Sequence, residues 1–346
     1  MDKCSGTEVL FITKKRSLYG HDTTLTSSGL INSVKFVCDM LNRNKVHSVL
    51  VDVTDNNDID RELTKYKPEI CIIEALWVVP DKFIVLKELH PNVKFAVRIH
   101  SDIPFIANEG IAIQWLKKYS DYGVKVFCNS ERIADSLKDV LEIDTEVLPN
   151  YYPITEVRST DVPKGDGYID IACFGAIRPL KNHLIQAMAA IKFANKKNKM
   201  LYFHINSTRV EGNAGPILKN LRNLFSEIPH VLVEHSWMDH DSFIDLMVQM
   251  DISMQVSFSE TYNIVTADAI NNKIPVVTSE EIDFVLPQVQ AECTDIDDIV
   301  QKLKFAYKTR NLGSTGLNKI FLKQSNNKAE RLWLEALGYR DKIVFA

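Results

Sequence analysis

No C-x-x-C, no G-x-G-x-x-G and no run of about 18 apolar residues occurs anywhere in the sequence. The six cysteines (Cys4, Cys38, Cys71, Cys128, Cys173, Cys293) are scattered, mostly in or beside apolar runs, and read as reduced core thiols of a cytoplasmic protein. The second absence leaves the pyrophosphate turn of a two-domain dehydrogenase unbuilt. The third excludes a membrane-spanning helix, and the opening MDKCSGTEVL lacks the apolar core of a signal peptide. A basic excess is missing too. Up to residue 160 there are 20 Lys and Arg against 23 Asp and Glu, and beyond it 21 against 22, so no nucleic-acid partner is expected.

What is present is an ordinary globular composition, 45% apolar, in a chain of 346 residues, more than one core usually serves. Short apolar runs alternate with amphipathic segments. EVLFIT, HSVLVDV, EICIIEA, KFAVRIH, KVFCNS and TEVLP fill the first half, and IDIACFG, LYFHIN, HVLVEHS, DISMQVS and IPVVTS the second. Runs this short and continuous suit parallel strands covered on both faces. The fold class is therefore α/β, with two Rossmann-like doubly wound domains. The Pro- and Gly-interrupted segment Tyr151 to Tyr168 reads as the linker. The expected organisation is a first domain over 1–155, a second over 166–325, and a C-terminal helix and tail over 326–346 that returns to the first domain, with NNKAERLWLEALGY as the amphipathic helix.

Doubly wound sheets bind ligands beyond the carboxyl ends of their strands, so chemistry is sought there. After IDIACFG comes AIRPLKNH, where Arg178 and Lys181 follow Gly175 and precede a helix. Two cations beside a glycine turn and a helix N-terminus can clamp a diphosphate, although Arg and Lys before a helix also occur simply as surface charge. Trp237 follows HVLVEHS and either meets a nucleotide base or caps the core. The three D-x-D pairs, Asp58/Asp60, Asp239/Asp241 and Asp295/Asp297, stand at helix starts and suit capping better than metal binding. In SFSETYNIVTADAINNKIPVV, a helix beginning near Thr261 or Tyr262 puts Glu260 in the preceding loop, opens the amides of Tyr262 and Asn263 towards a phosphate, and places Asp268 about two turns on. Asp268 can then bond a pair of ribose hydroxyls. The bland alternative makes Glu260 an N-cap and Asp268 a solvated helix residue.

The order G-x-x-R-x-x-K followed by E-x7-D before Pro-Val-Val resembles the GT-B glycosyltransferases, especially the retaining family 4 type, in which the acidic pair is E-x7-E. Ser28 and Gly29 resemble that family's glycine loop, NSERIADSLK its last first-domain helix, and VLPN its interdomain lead-in. Two departures stand out: Asp268 is one methylene shorter than the usual Glu, and Thr261, Tyr262 and Asn263 replace the family's Phe-Gly. The resemblance implies two domains facing across a cleft and a sugar transfer with retention of configuration from a UDP- or GDP-type nucleotide sugar to a glycan or glycolipid acceptor. It implies no metal and no other cofactor. Arg178 and Lys181 would hold the diphosphate, Glu260 the donor-sugar hydroxyls and Asp268 the ribose. His100, which ends KFAVRIH, would stand beside the reacting sugar. Ser28, Gly29, Gly175, Trp237, Tyr262, Asn263 and Ile264 would complete the donor site, and Lys14 and His21 would face the acceptor. The altered acidic motif also admits a catalytically degenerate binding or scaffold subunit.

Overall fold

The computed structural model describes residues 6–15, 29–158, 165–310 and 314–342. In chain order the elements are β1 (Val9–Lys14), α1 (Gly29–Arg43), β2 (Ser48–Val53), α2 (Asp58–Tyr66), β3 (Ile70–Glu74), α3 (Lys82–Leu89), β4 (Lys94–Ile99), α4 (Ile103–Ile106), α5 (Ala112–Asp121), β5 (Lys125–Cys128), α6 (Glu131–Leu141) and β6 (Thr145–Val147). Then come β7 (Tyr168–Ala172), α7 (His183–Lys196), β8 (Met200–Asn206), α8 (Gly215–Ser226), β9 (Val231–His235), α9 (His240–Met247), β10 (Ile252–Gln255), α10 (Ile264–Asn271), β11 (Val276–Ser279), β12 (Gln290–Ala291), α11 (Ile296–Thr309) and α12 (Ser314–Ala336). All eleven apolar runs become strands, and β12, only two residues long, had no run to mark it.

The strands form two six-stranded sheets, both parallel throughout. The first has the order β2-β1-β3-β4-β5-β6 and the second β12-β11-β10-β7-β8-β9. Each order reverses direction once. In the first sheet the reversal lies between β1 and β3, and in the second between β7 and β10, the two places where the chain's crossovers leave a crevice for a ligand. Helices cover the faces because parallel strands leave no solvated side. Phe193, Ala190, Leu221 and Leu303 seal one face of the second sheet against Ile171, Phe203 and Ile205. In the first unit, Val37 and Leu41 of α1 and Trp333 of α12 pack on Val9 and Phe11.

The chain divides into two compact units, one comprising 1–24, 28–153 and 326–346, the other 25–27 and 154–325. The division at Ile154 falls early in the segment read as a linker, because Thr155 N and Arg158 N donate to Asn271 Oδ1 (3.2 Å) and Asn272 Oδ1 (3.0 Å) at the end of α10. The second division, after Ser325, falls inside α12. That helix starts at Ser314, twelve residues before the one expected, and runs for 23 residues. Asn326 marks the change: its side chain exchanges hydrogen bonds with the Tyr152 backbone. Four cysteines, Cys38, Cys71, Cys128 and Cys173, are buried thiols. Burial pushes Cys38 and Cys128 up to about 11.

Candidate functional site

The turn leaving β7 is built by its backbone. Gly175 has φ +117°, a conformation an L side chain adopts only under strain, and nothing lies within 4 Å of where its Cβ would be, so the demand is conformational rather than steric. Its N–H donates to Asn206 Oδ1 at the end of β8 (2.9 Å). A 3-10 turn over Pro179–Lys181 follows, with Arg178 before it and Asn182 in the left-handed region after it. Asn182 Nδ2 donates to the carbonyls of Val256 (3.0 Å) and Cys293 (2.7 Å), while Phe258 N donates to Leu180 O (2.9 Å). Gln186 Oε1 accepts from Val256 N, and Gln255 Nε2 donates to Phe174 O. The loops after β7 and β10 are thereby laced together at the sheet's point of reversal.

Across that seam Lys181 Nζ donates to Glu260 Oε1. The same oxygen accepts from Ser257 Oγ (2.9 Å) and Asn263 Nδ2 (3.0 Å), and Glu260 N donates to Glu281 Oε2 (3.1 Å). Glu260 is therefore neither a helix cap nor a solvated loop acid. The cap is Asn263, whose Oδ1 accepts from Thr266 N (2.8 Å), so α10 begins at Ile264, later than expected. Because Asn263 caps the helix with its own side chain, the amides expected to open at Tyr262 and Asn263 belong to the loop before it. Tyr262 packs its ring on Phe284, centroids 4.9 Å apart.

Asp268 is 1% exposed, in the middle of α10, and Oδ1 meets His240 Nε2 at 2.8 Å. The solvated alternative fails here. Burial opposes a charge on His240, but the Asp268 hydrogen bond and charge, with Asp241 adding, outweigh it and hold the imidazole above its ordinary range. His240 carried no sequence signal beyond its place at a helix start.

Two further residues escaped the sequence reading, although both lie just past a strand end. Glu211 accepts from Arg178 Nε (2.7 Å) and from Arg209 Nε (2.5 Å), one carboxylate bridging two guanidiniums. Arg209 in turn lies against the Trp237 ring, 4.5 Å from its centroid, and Trp237 N donates to Thr208 Oγ1. Arg178 and Trp237, predicted separately, are thus linked through Glu211 and Arg209.

In the first unit, His100 follows β4 and its Nε2 lies 2.5 Å from Glu74 Oε2, at the end of β3. Glu74 and Arg98 are both fully buried, with Arg98 Nε 3.2 and 3.0 Å from the two carboxylate oxygens. Lys14, at the end of β1, stands 5.9 Å from the Trp77 ring centroid. Gly29 opens α1; Ser28 and His21 lie outside the described residues.

The D-x-D pairs are engaged locally. Asp239 caps α9 and Asp295 caps α11 through their side chains, and Asp58 Oδ2 accepts from Thr54 N. Asp241 pairs with Arg158 (2.6 Å), Asp297 with Lys192 (2.7 Å) and Asp60 with His90 (2.7 Å). Among the described residues no group of three or more His, Cys, Asp or Glu is arranged to hold a metal ion. No described helix is long and apolar enough to cross a membrane.

The sequence matches no protein-family model and no curated protein. Solved structures are nonetheless similar over almost the whole chain. An OtsA apo structure aligns with a TM-score of 0.72 at 10% identity, covering 98% of this chain and 100% of that one. A sucrose-phosphate synthase from Thermosynechococcus elongatus aligns with a TM-score of 0.70 at 14% identity, covering 96% and 98%. A structure described as trehalose-6-phosphate from E. coli bound with UDP-2-fluoro glucose aligns with a TM-score of 0.70 at 10% identity, covering 98% and 100%. At such identities the likeness is one of fold, and the fold is GT-B: two Rossmann-like α/β units with parallel sheets.

Proposed function

We propose that this chain is a glycosyltransferase that takes a sugar from a nucleotide-sugar donor. The observation carrying this is the gathering of Arg178, Lys181 and Glu260 at the β7/β10 reversal, where a doubly wound sheet receives its ligand. A structurally similar protein is described bound with UDP-2-fluoro glucose, and another is a sucrose-phosphate synthase, which supports a UDP-type donor and a sugar or sugar-phosphate acceptor.

In this reading the bond from the anomeric carbon to the diphosphate breaks, and negative charge grows on the departing oxygen. Preorganised cations aimed at that charge supply most of the rate. Arg178 and Lys181 are held half-buried by their carboxylate partners, so little reorganisation remains when the diphosphate arrives. Glu260, fixed by Ser257 and Asn263, takes the donor-sugar hydroxyls, and Asp268 with His240 forms the ribose-side pair. Trp237, with Arg209 against its ring, takes the base in this reading. Gly175, Tyr262, Asn263 and Ile264 complete the donor side. Retention of configuration comes with the family resemblance and belongs to this proposal, as does cytoplasmic residence; the same resemblance offers a glycan or glycolipid as the alternative acceptor. So does independence from metal, since Arg178 and Lys181 bring the positive charge a divalent cation would otherwise bring.

The test is transfer, or hydrolysis where the acceptor is unknown, of a labelled sugar from a panel of UDP- and GDP-sugars, run with excess EDTA and again with magnesium or manganese. Release of labelled sugar in EDTA supports a donor-cleaving enzyme with a metal-free clamp. Activity restored only by metal overturns the metal-free clamp. No turnover of any donor, with nucleotide binding still evident from a raised melting temperature, favours the degenerate binding subunit.

A further inference from the structure

The loop that follows β8 is tied to the turn that follows β7, and one acid in it touches both arginines of that region. Ile177 and Val210 form a single parallel bridge outside the named strands: Ile177 N donates to Arg209 O and Glu211 N donates to Ile177 O, each at 2.9 Å. One residue further along, Arg178 and Glu211 therefore stand side by side. Pro179 restricts the backbone of the residue before it, and Arg178 is accordingly extended, at φ −139°. Past Glu211 the chain turns through Gly212 at φ +61°, where a Cβ would lie 3.6 Å from Pro179 Cδ, so loop and turn stay close beyond the bridge. The two oxygens of Glu211 are divided. Oε2 accepts from Arg178 Nε (2.7 Å) and Nη2 (2.5 Å), while Oε1 accepts from Arg209 Nε (2.5 Å). Arg209, its side chain only 10% exposed, lies against the Trp237 ring.

We propose that Glu211 is a positioning residue that holds the two ends of the donor site in one geometry: one oxygen sets the guanidinium assigned to the diphosphate, the other the guanidinium against the tryptophan assigned to the base. This role rests on the donor-site reading of Arg178 and Trp237. A guanidinium is a planar fork, so a carboxylate that grips it through Nε and Nη2 fixes the plane of the whole group. On the other side, a guanidinium held by Nε against an indole face restrains the ring it covers. Charge acting alone would have the opposite effect. A carboxylate near a diphosphate repels it, so its removal would tighten anion binding. Positioning instead predicts weaker binding, and predicts it for the uncharged nucleoside as well as for the anion. The two ends share no chemistry, only the carboxylate between them.

Isothermal titration of the full chain tests this, with three separate probes: whichever of UDP and GDP the wild type binds, its nucleoside, and inorganic pyrophosphate. Pyrophosphate reports on Arg178 and the nucleoside on Trp237. Glu211→Gln keeps the shape but offers one acceptor oxygen where two are used, so both fragments should bind at least about fivefold more weakly, and the nucleotide should lose more than either. Glu211→Asp keeps the charge and shortens the reach by one methylene. It should show the same losses in smaller measure, and it decides alone if the glutamine variant does not fold. A carboxylate serving stability only would lower the melting temperature of both variants and leave the folded protein's affinities alone. Unchanged nucleotide affinity in the folded variants therefore overturns the proposal, whatever the fragments show, and so does tighter pyrophosphate binding or a loss confined to one fragment. A wild type that binds neither nucleotide nor pyrophosphate sinks the donor-site reading, and this role with it; that outcome is distinct from wild-type binding which the variants leave intact.

Discussion

Lys181 Nζ and Glu260 Oε1 share a hydrogen bond that joins the turn after β7 to the loop after β10. Their side chains are only 18% and 9% exposed, so this is no ordinary surface pair. Glu260 also takes bonds from Ser257 and Asn263, and Asn263 is simultaneously the cap of α10. The acid that the functional reading gives to the sugar is thus welded to the start of the helix carrying Asp268. Geometry at one residue is transmitted to the next through short, named contacts.

Lys181→Ala and Arg178→Ala should each lower kcat by about 10²- to 10³-fold, the size expected when a preorganised charge is removed from a departing anion. A cation on a fully exposed turn contributes little to folding, but these two are half-buried. Lys181 is held by a largely buried carboxylate, so its loss should also cost on the order of 1 to 3 kcal/mol in urea unfolding. Transfer by either variant at more than a tenth of the wild-type rate would remove the clamp.

The coupling between Lys181 and Glu260 can be isolated by a double-mutant cycle with Lys181→Met and Glu260→Gln. Because the two groups touch, the stability changes should fail to add, leaving an interaction of roughly 0.5 to 3 kcal/mol. Additivity within experimental error would mean that the contact is not held in solution.

For Asp268 and His240 the pH dependence has a definite sign. His240 is held above its ordinary range in the folded protein, so its contribution is fully present below the unfolded value near 6.5 and is lost as pH rises through the folded value. Asp268→Ala removes the partner. The stability gap between wild type and Asp268→Ala should therefore be larger at pH 6 than at pH 9. Calorimetry should also find weaker binding of free nucleotide to this variant. A gap that widens with pH would contradict the pairing.

The sequence made the strands legible because each is a short, largely apolar run, and inner ones such as IDIA and VLFIT are buried on both faces. It made Arg178, Lys181 and Glu260 legible because each follows such a run. What it could not supply is pairing. Nothing local connects Glu211 to Arg178 across 33 positions, or His240 to Asp268 across 28; those contacts exist only once β7, β8 and β10 lie side by side. Glu74 was hidden differently, as a single acid closing the apolar run EICIIEA, where only its burial against Arg98 and His100 gives it meaning. The start of α10 was misplaced because Thr-Tyr-Asn offers two capping residues, Thr261 and Asn263, and the hydrogen bond to Thr266 N chooses the later one.

His183 supplies the last prediction. It is the first residue of α7, 1% exposed, and neither ring nitrogen has a hydrogen-bond partner among the described residues. Burial, with the Lys181 charge adding, pushes it down to about 3. A depressed folded value makes the neutral ring compatible with folding above pH 6.5, and stability is then lost as pH falls from there towards 3, because the unfolded chain takes up the proton first. Between pH 7 and pH 5 this one residue should remove about 2 kcal/mol. Since the ring makes no hydrogen bond to lose, His183→Met, of similar bulk, should cost under about 1.5 kcal/mol at pH 7.5 and flatten the acid limb by that same amount. Urea denaturation of the two proteins at pH 7.5, 6 and 5 measures it directly. Parallel stability curves for wild type and His183→Met would show that His183 is not the group whose protonation unfolds the second unit.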